Sequence, residues 1–130
     1  MFLRVVVLMC LGGLVAPASA LPMAEFFGIW QGVDPEDGSL QTLTITDAGA
    51  RRAGILVHDT WFSLCQGELG VGQGTGVLTR NTLEVADYQL SCGSGSARGG
   101  ATRFTRGAHG VLKRVLAPPS PPIVYYRIGR

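Results

Sequence analysis

Apolar and polar residues alternate with a period of two through most of the chain beyond residue 25. Leu43 and Ile45 alternate with Thr42, Thr44 and Thr46, the pattern of a half-buried strand with a threonine-rich outer face. Ahead of it, residues 26–32 read as a first strand in which Phe26, Gly28 and Trp30 share one face. The intervening VDPEDGS at 33–39 is a turn, because Pro35 fixes its own φ and Gly38 can take a positive one. After a turn at 47–53, a third strand over 54–62 places Ile55, Val57, Asp59 and Trp61 on one side and Leu56, His58, Thr60 and Phe62 on the other. Both sides are mixed, so the pattern does not say which faces inward. Residues 64–69 and 71–79 read as a fourth and a fifth strand. Residues 82–92 form a long strand whose apolar phase runs through Leu83 and Val85 and then through Tyr88, Leu90 and Cys92. The one-residue slip at Ala86-Asp87 predicts a bulge. GSGSARGG at 93–100 is a flexible loop, 101–106 and 111–116 are short strands, APPSPP at 117–122 is a stiff spacer, and 123–128 is a last strand.

No window of eleven or more residues after position 20 has apolar residues at helical spacing, and 19 glycines with 7 prolines weigh against helices. The expected fold is an all-β domain, a small antiparallel β-barrel of about eight short strands, with a β-sandwich as the alternative. Closure favours the barrel, since it removes the exposed edges that short glycine-rich strands leave. Gly70, Gly72, Gly74 and Gly76 strip one strand face of side chains, which suits a close approach by a second sheet, a ligand or a sharply curved barrel wall.

Residues 1–20 depart from this pattern. Arg4 precedes an apolar run of 11 residues from Val5 to Val15, and Ala18-Ser19-Ala20 is a small-x-small cleavage signal. The run is too short for a spanning helix, which needs roughly 20 residues. We therefore expect a signal peptide at 1–20, one domain at 21–130, and no membrane insertion after cleavage. Losing Arg4 takes the net charge from +2 to +1, which is no electrostatic footprint for nucleic acid. Cys10 leaves with the leader, so the three cysteines become two, Cys65 and Cys92, in a chain bound for an oxidising compartment. They are expected to form one disulfide.

Gly28-x-Trp30 near the mature N-terminus, followed by antiparallel strands, resembles the opening strand of the calycins, the lipocalin and avidin group. The resemblance implies that Trp30 closes the lower end of a barrel and that an arginine from a late strand stacks on it; Arg127 is the best match and Arg103 the second. The later inter-strand motif of lipocalins is absent. The order Trp30, Asp37-Gly38-Ser39, Cys65, Gly72-x-Gly74 and Cys92 is also similar to small secreted bacterial β-domains, which implies the fold and the disulfide but no activity.

Candidate chemistry is sparse. Asp34, Glu36 and Asp37 set three carboxylates within four residues, oxygen ligands that suit Ca²⁺, but their spacing departs from D-x-D-x-D-G and fits an acidic hairpin turn. His58 and Asp59 are adjacent, yet neighbours on a strand point to opposite faces. Apart from His58 the mature chain holds only His109, and no G-x-S-x-G turn is present for nucleophilic catalysis. Trp30, Trp61, Tyr88, Tyr125 and Tyr126, with Arg127, are the candidates for lining a ligand cavity. The expected function is a secreted or periplasmic non-enzymatic binding module with a small ligand or a protein as its partner. The alternative is a minor metal-assisted hydrolase built on His58, Asp59 or the acidic turn.

Overall fold

A computed structural model describes residues 22–115 and 119–130, the side chains at 62, 64, 87 and 97 excepted. The expected leader at 1–20 and the first part of the spacer at 117–122 lie outside the described residues. Nine strands follow in order: β1 Gly28–Val33, β2 Leu40–Asp47, β3 Arg52–Phe62, β4 Glu68–Thr79, β5 Thr82–Cys92, β6 Gly95–Gly99, β7 Thr102–Arg106, β8 Leu112–Val115 and β9 Ile123–Gly129. Three single 3-10 turns at Met23–Glu25, Ser63–Cys65 and Ala108–Gly110 complete the described elements, with no α-helix among them.

Strands next to each other in the chain pair antiparallel from β1 to β6 and from β7 to β9. β5 is shared: its first half pairs with β7 and its second half with β6, so β6 and β7 act as one broken stave. Pairing of β1 with β9 closes the ring. The molecule is therefore an up-and-down barrel of eight staves, and that closure decides for the barrel over the sandwich.

Alternation fixes what lies inside. On β3 the inner face is Ala53, Ile55, Val57 and Asp59, with Leu56, His58 and Thr60 outside. The β4 glycines point inward, and their lack of side chains makes room for the neighbouring strand: a Cβ at Gly72 would press on Leu90 and Tyr88, and one at Gly76 on Leu83. The space that the glycines leave is taken by β5 side chains within the closed wall. The expected bulge is present. Gly74 and Gly76 on β4 face Tyr88 and Val85 on β5, three residues apart against two, which returns Tyr88 and Leu90 to the inner face.

Three sequence expectations are corrected. Residues 64–69 are not a strand: Ser63–Cys65 is a 3-10 turn, Gln66 and Gly67 take positive φ, and a single β4 begins at Glu68. The loop expected at 93–100 contains β6, because Gly95–Gly99 pairs with β5 above the bulge. The first strand begins at Gly28 rather than at 26, which leaves 22–26 as a separate lead-in. Its 3-10 turn and Phe26, which is fully buried, cover one end of the barrel.

Candidate functional site

The register gives the barrel two unlike ends. The floor carries the start of β1, the β2–β3, β4–β5 and β7–β8 turns and the C-terminus; the rim carries the 34–39 turn, the 63–67 turn and the β5–β6 turn.

At the floor, Trp30 is fully buried and its indole Nε1 donates to the Phe26 carbonyl at 2.9 Å. Guanidinium carbons of Arg127 and Arg106 lie 4.5 and 4.9 Å from the ring centroid. Arg127 Nη2 also donates to the Glu25 carbonyl at 2.6 Å, and the Glu25 carboxylate sits 3.7 Å from Arg106. Burial and then repulsion from Arg127 hold the Arg106 pKa below its usual value, with Glu25 opposing. Arg103 takes no part, since on β7 the inward parity belongs to Thr102, Phe104 and Arg106 and Arg103 is exposed. Gly28 is required here twice over: its φ is 131°, and a Cβ would stand 2.7 Å from the Gly129 carbonyl where β1 and β9 shift register. Outside this floor an open cleft of about 290 Å³ is lined by Ala24, Glu25, Phe27, Gly28, Arg127 and Arg130.

Inside, a polar chain crosses the core. Tyr125, Gly32, Gln41 and Asp59 occupy register-matched positions on β9, β1, β2 and β3. Gly32 has no side chain, so the tyrosine reaches across β1 and its hydroxyl donates to Gln41 Oε1 at 2.5 Å. Gln41 Nε2 donates to Asp59 Oδ2 at 2.7 Å, and Asp59 Oδ1 accepts from the Trp61 amide at 3.1 Å. Behind Tyr125 stands Arg114, whose guanidinium donates to Tyr88 Oη and Thr102 Oγ1, both at 3.0 Å, and interacts with the Tyr125 hydroxyl. Donors thus run in one direction from Tyr125 through Gln41 to a buried carboxylate, with a buried cation on the far side of the phenol.

The electrostatics follow from this burial. Desolvation pushes the Asp59 pKa up, against its hydrogen bonds from Trp61 and Gln41. The Ser39 hydroxyl also lowers it, although that buried Oγ falls short of hydrogen-bond geometry with any partner. Burial pushes the Tyr125 phenol up to about 12, with Arg114 pulling the other way. For Arg114, burial lowers the pKa, but the facing Tyr125 and Tyr88 hydroxyls raise it and prevail.

An interior cavity beside Val57, Gly72, Tyr88, Phe104 and Arg114 measures about 10 Å³, room for no more than one water. The aromatic candidates do not gather around a pocket: Trp30 is in the floor, Tyr88 and Tyr125 are in the core, Tyr126 is on the outer wall and Trp61 is on the rim. Arg127 is the one candidate that meets Trp30.

The acidic turn is occupied with its own backbone. Asp34 Oδ1 accepts from the Glu36 amide and Asp37 Oδ1 from the Ser39 amide, both at 2.8 Å, and Gly38 has a φ of 76°. Among the described residues no group of three or more histidine, cysteine or acidic side chains is arranged to hold a metal ion. His58 is exposed on the outer wall while Asp59 is 3% exposed within, so the pair does not share a site.

Among the described residues, exposed apolar side chains stand on the outer wall, at Val77, Tyr126 and Ile128, and along the rim. Val33 and Leu40 are register partners, Thr60 lies next to Leu40 through a hydrogen bond from the Leu40 amide, and a register shift between Asp59 and Phe62 brings Trp61 against the start of β4. Trp61 packs over Gly67 yet is 55% exposed, and Leu69 is 66% exposed. The Cys65–Cys92 disulfide, Cα atoms 5.5 Å apart, ties this corner to the top of β5. Such a bond belongs to oxidising surroundings. Among the described residues no helix is long and apolar enough to cross a membrane.

Sequence reasoning missed Gln41, Arg106 and Arg114. Each shares strand parity with core residues, which was the available signal. No protein-family model, no curated protein and no solved structure matches this chain.

Proposed function

We propose that the protein is exported and works outside the cytoplasm, in the periplasm or beyond, as a non-enzymatic module that binds a protein partner through the rim of its barrel. The observation that carries this reading is the contrast between an interior cavity that, among the described residues, has room for a single water and a rim that leaves Val33, Leu40, Trp61 and Leu69 exposed. A barrel that held a small ligand would keep a cavity of roughly 300 Å³ or more inside its wall. Export is supported by the leader pattern at 1–20 together with the disulfide. The opposed directions of His58 and Asp59 weigh against a hydrolase that uses both.

Two measurements test the reading. Native mass spectrometry of freshly isolated protein gives a single mass beginning at Leu21 with no bound small molecule; a stoichiometric co-purified ligand refutes it. A photo-cross-linking side chain at position 69, introduced in the producing cells, gives a discrete protein adduct that the same group at position 126 does not. Equal labelling from both positions, or none, also refutes it.

A further inference from the structure

From the charge pattern of the rim we infer the chemistry of the partner: a protein segment that sets lysines or arginines beside apolar or aromatic side chains. The inference rests on the reading of the protein as an interaction module.

No lysine or arginine occurs between Arg4 and Arg51 or between Arg52 and Arg80, so the rim halves of β1 to β4 carry no cation. They do carry anions. Asp34 follows Val33, Glu36 and Asp37 stand exposed in the turn above Leu40, and the exposed Glu68 adjoins Leu69. The apolar arc of Val33, Leu40, Trp61 and Leu69 is therefore fringed by four carboxylates. The opposite end has the reverse sign, with Arg51, Arg52, Arg80 and Arg130 exposed at the floor. Such a field turns an approaching cationic segment toward the rim, while the apolar arc supplies the area that holds it. Trp61 is suited to be the anchor, a rigid aromatic already seated on the Gly67 backbone. The same fringe repels anionic lipid headgroups and nucleic acid, which separates a basic protein segment from those occupants.

The test uses the mature full-length protein, isotopically labelled, titrated with a short synthetic peptide of alternating lysine and leucine and with its glutamate–leucine counterpart. The lysine peptide shifts amide signals within 33–40 and 60–69, and its binding weakens about tenfold between low and moderate salt. Glu36→Lys combined with Leu69→Ser weakens it about tenfold or more, whereas Tyr126→Ser combined with Ile128→Ser leaves it unchanged; both pairs alter exposed side chains, and native-like amide spectra of each confirm folding. The inference is overturned by equal binding of the glutamate peptide, by signals that shift on the outer wall instead, by rim-dependent binding to anionic vesicles, or by rim-dependent self-association in sedimentation. If the lysine peptide fails while the adduct from position 69 persists, the partner chemistry falls and the interaction module stands.

Discussion

Replacing Tyr125 by phenylalanine removes one oxygen from the centre of the buried polar chain and leaves the ring in place. Tyr125 is fully buried and Gln41 is 2% exposed, so the loss strands Gln41 Oε1 without a donor in a region closed to solvent. The amide cannot turn over to escape, because that would press Oε1 against the Asp59 carboxylate it now donates to. An unsatisfied buried acceptor costs about 1 to 3 kcal/mol, and the Arg114 guanidinium loses the facing hydroxyl as well. Urea unfolding followed by Trp30 fluorescence should register a loss in that range, with Tm lower by roughly 4 °C or more. Gln41→Met strands the Tyr125 hydroxyl and one Asp59 oxygen. The double variant strands only the latter, so it should be more stable than the sum of the single losses implies by about 1 kcal/mol. Additivity within about 0.3 kcal/mol, or a cost of Tyr125→Phe below about 0.5 kcal/mol, refutes the chain as a coupled unit.

The raised pKa of Asp59 means that the folded state binds its proton more tightly than the unfolded chain does. Its stabilising contribution is therefore full below the ordinary value of 3.8 and declines as pH rises to the folded pKa. The stability of the native protein minus that of Asp59→Asn should fall with pH across that window by up to about 1.4 kcal/mol per unit and then level off; a difference that rises with pH contradicts the assignment. Replacing Cys65 and Cys92 by alanine opens a loop of sequence separation 27 and should cost about 3 to 4 kcal/mol in urea, and a loss below about 1 kcal/mol would show that the closed loop matters little. Arg127→Met removes the stacking on Trp30 and the hydrogen bond to Glu25, for a loss of about 1 to 3 kcal/mol. Amide exchange at Glu25, Phe26 and Phe27 should rise in the same variant, and unchanged exchange there would show that Arg127 does not fasten the lead-in.

Much of the barrel was legible because its signals are local. Thr42 to Thr46 alternate without interruption, Pro35 and Gly38 mark their turn, and the phase slip at Ala86-Asp87 is visible in the order of residues alone. The inner face of β3 was not legible, since Asp59 occupies a core position and a pattern that sorts apolar from polar cannot recognise a carboxylate buried by partners on other strands. Gln41 and Arg114 escaped for the same reason. Their place follows from strand register, a non-local property set by the β1–β9 closure and by Gly32 leaving space for Tyr125. β6 was hidden in a run of Gly and Ser whose strand geometry comes from pairing with β5, where Gly99 lies under the Tyr88 ring. At the floor, Arg106 and Arg103 differ by a single step in parity, and only the register of β7 decides between them.

A hydrogen bond links the interior to the rim, and that bond gives the polar chain a meaning beyond stability. An apolar filling of the same volume would often be as stable as a buried pair of charges. What the chain adds is position. A one-residue slip of β9 would turn Tyr125 outward and break the link to Gln41, so the chain holds β9, β2 and β3 in a single register. Its last acceptor, Asp59 Oδ1, takes the Trp61 amide at the point where β3 bulges to form the rim. The backbone that presents the exposed tryptophan is therefore anchored, through Asp59, Gln41 and Tyr125, to the closing strand on the far side of β1. Tyr125→Phe should then loosen the rim as well as the core, with faster amide exchange at Trp61 than the global loss of stability accounts for. Exchange at Trp61 that merely tracks global unfolding would leave the chain a structural brace with no hold on the binding surface.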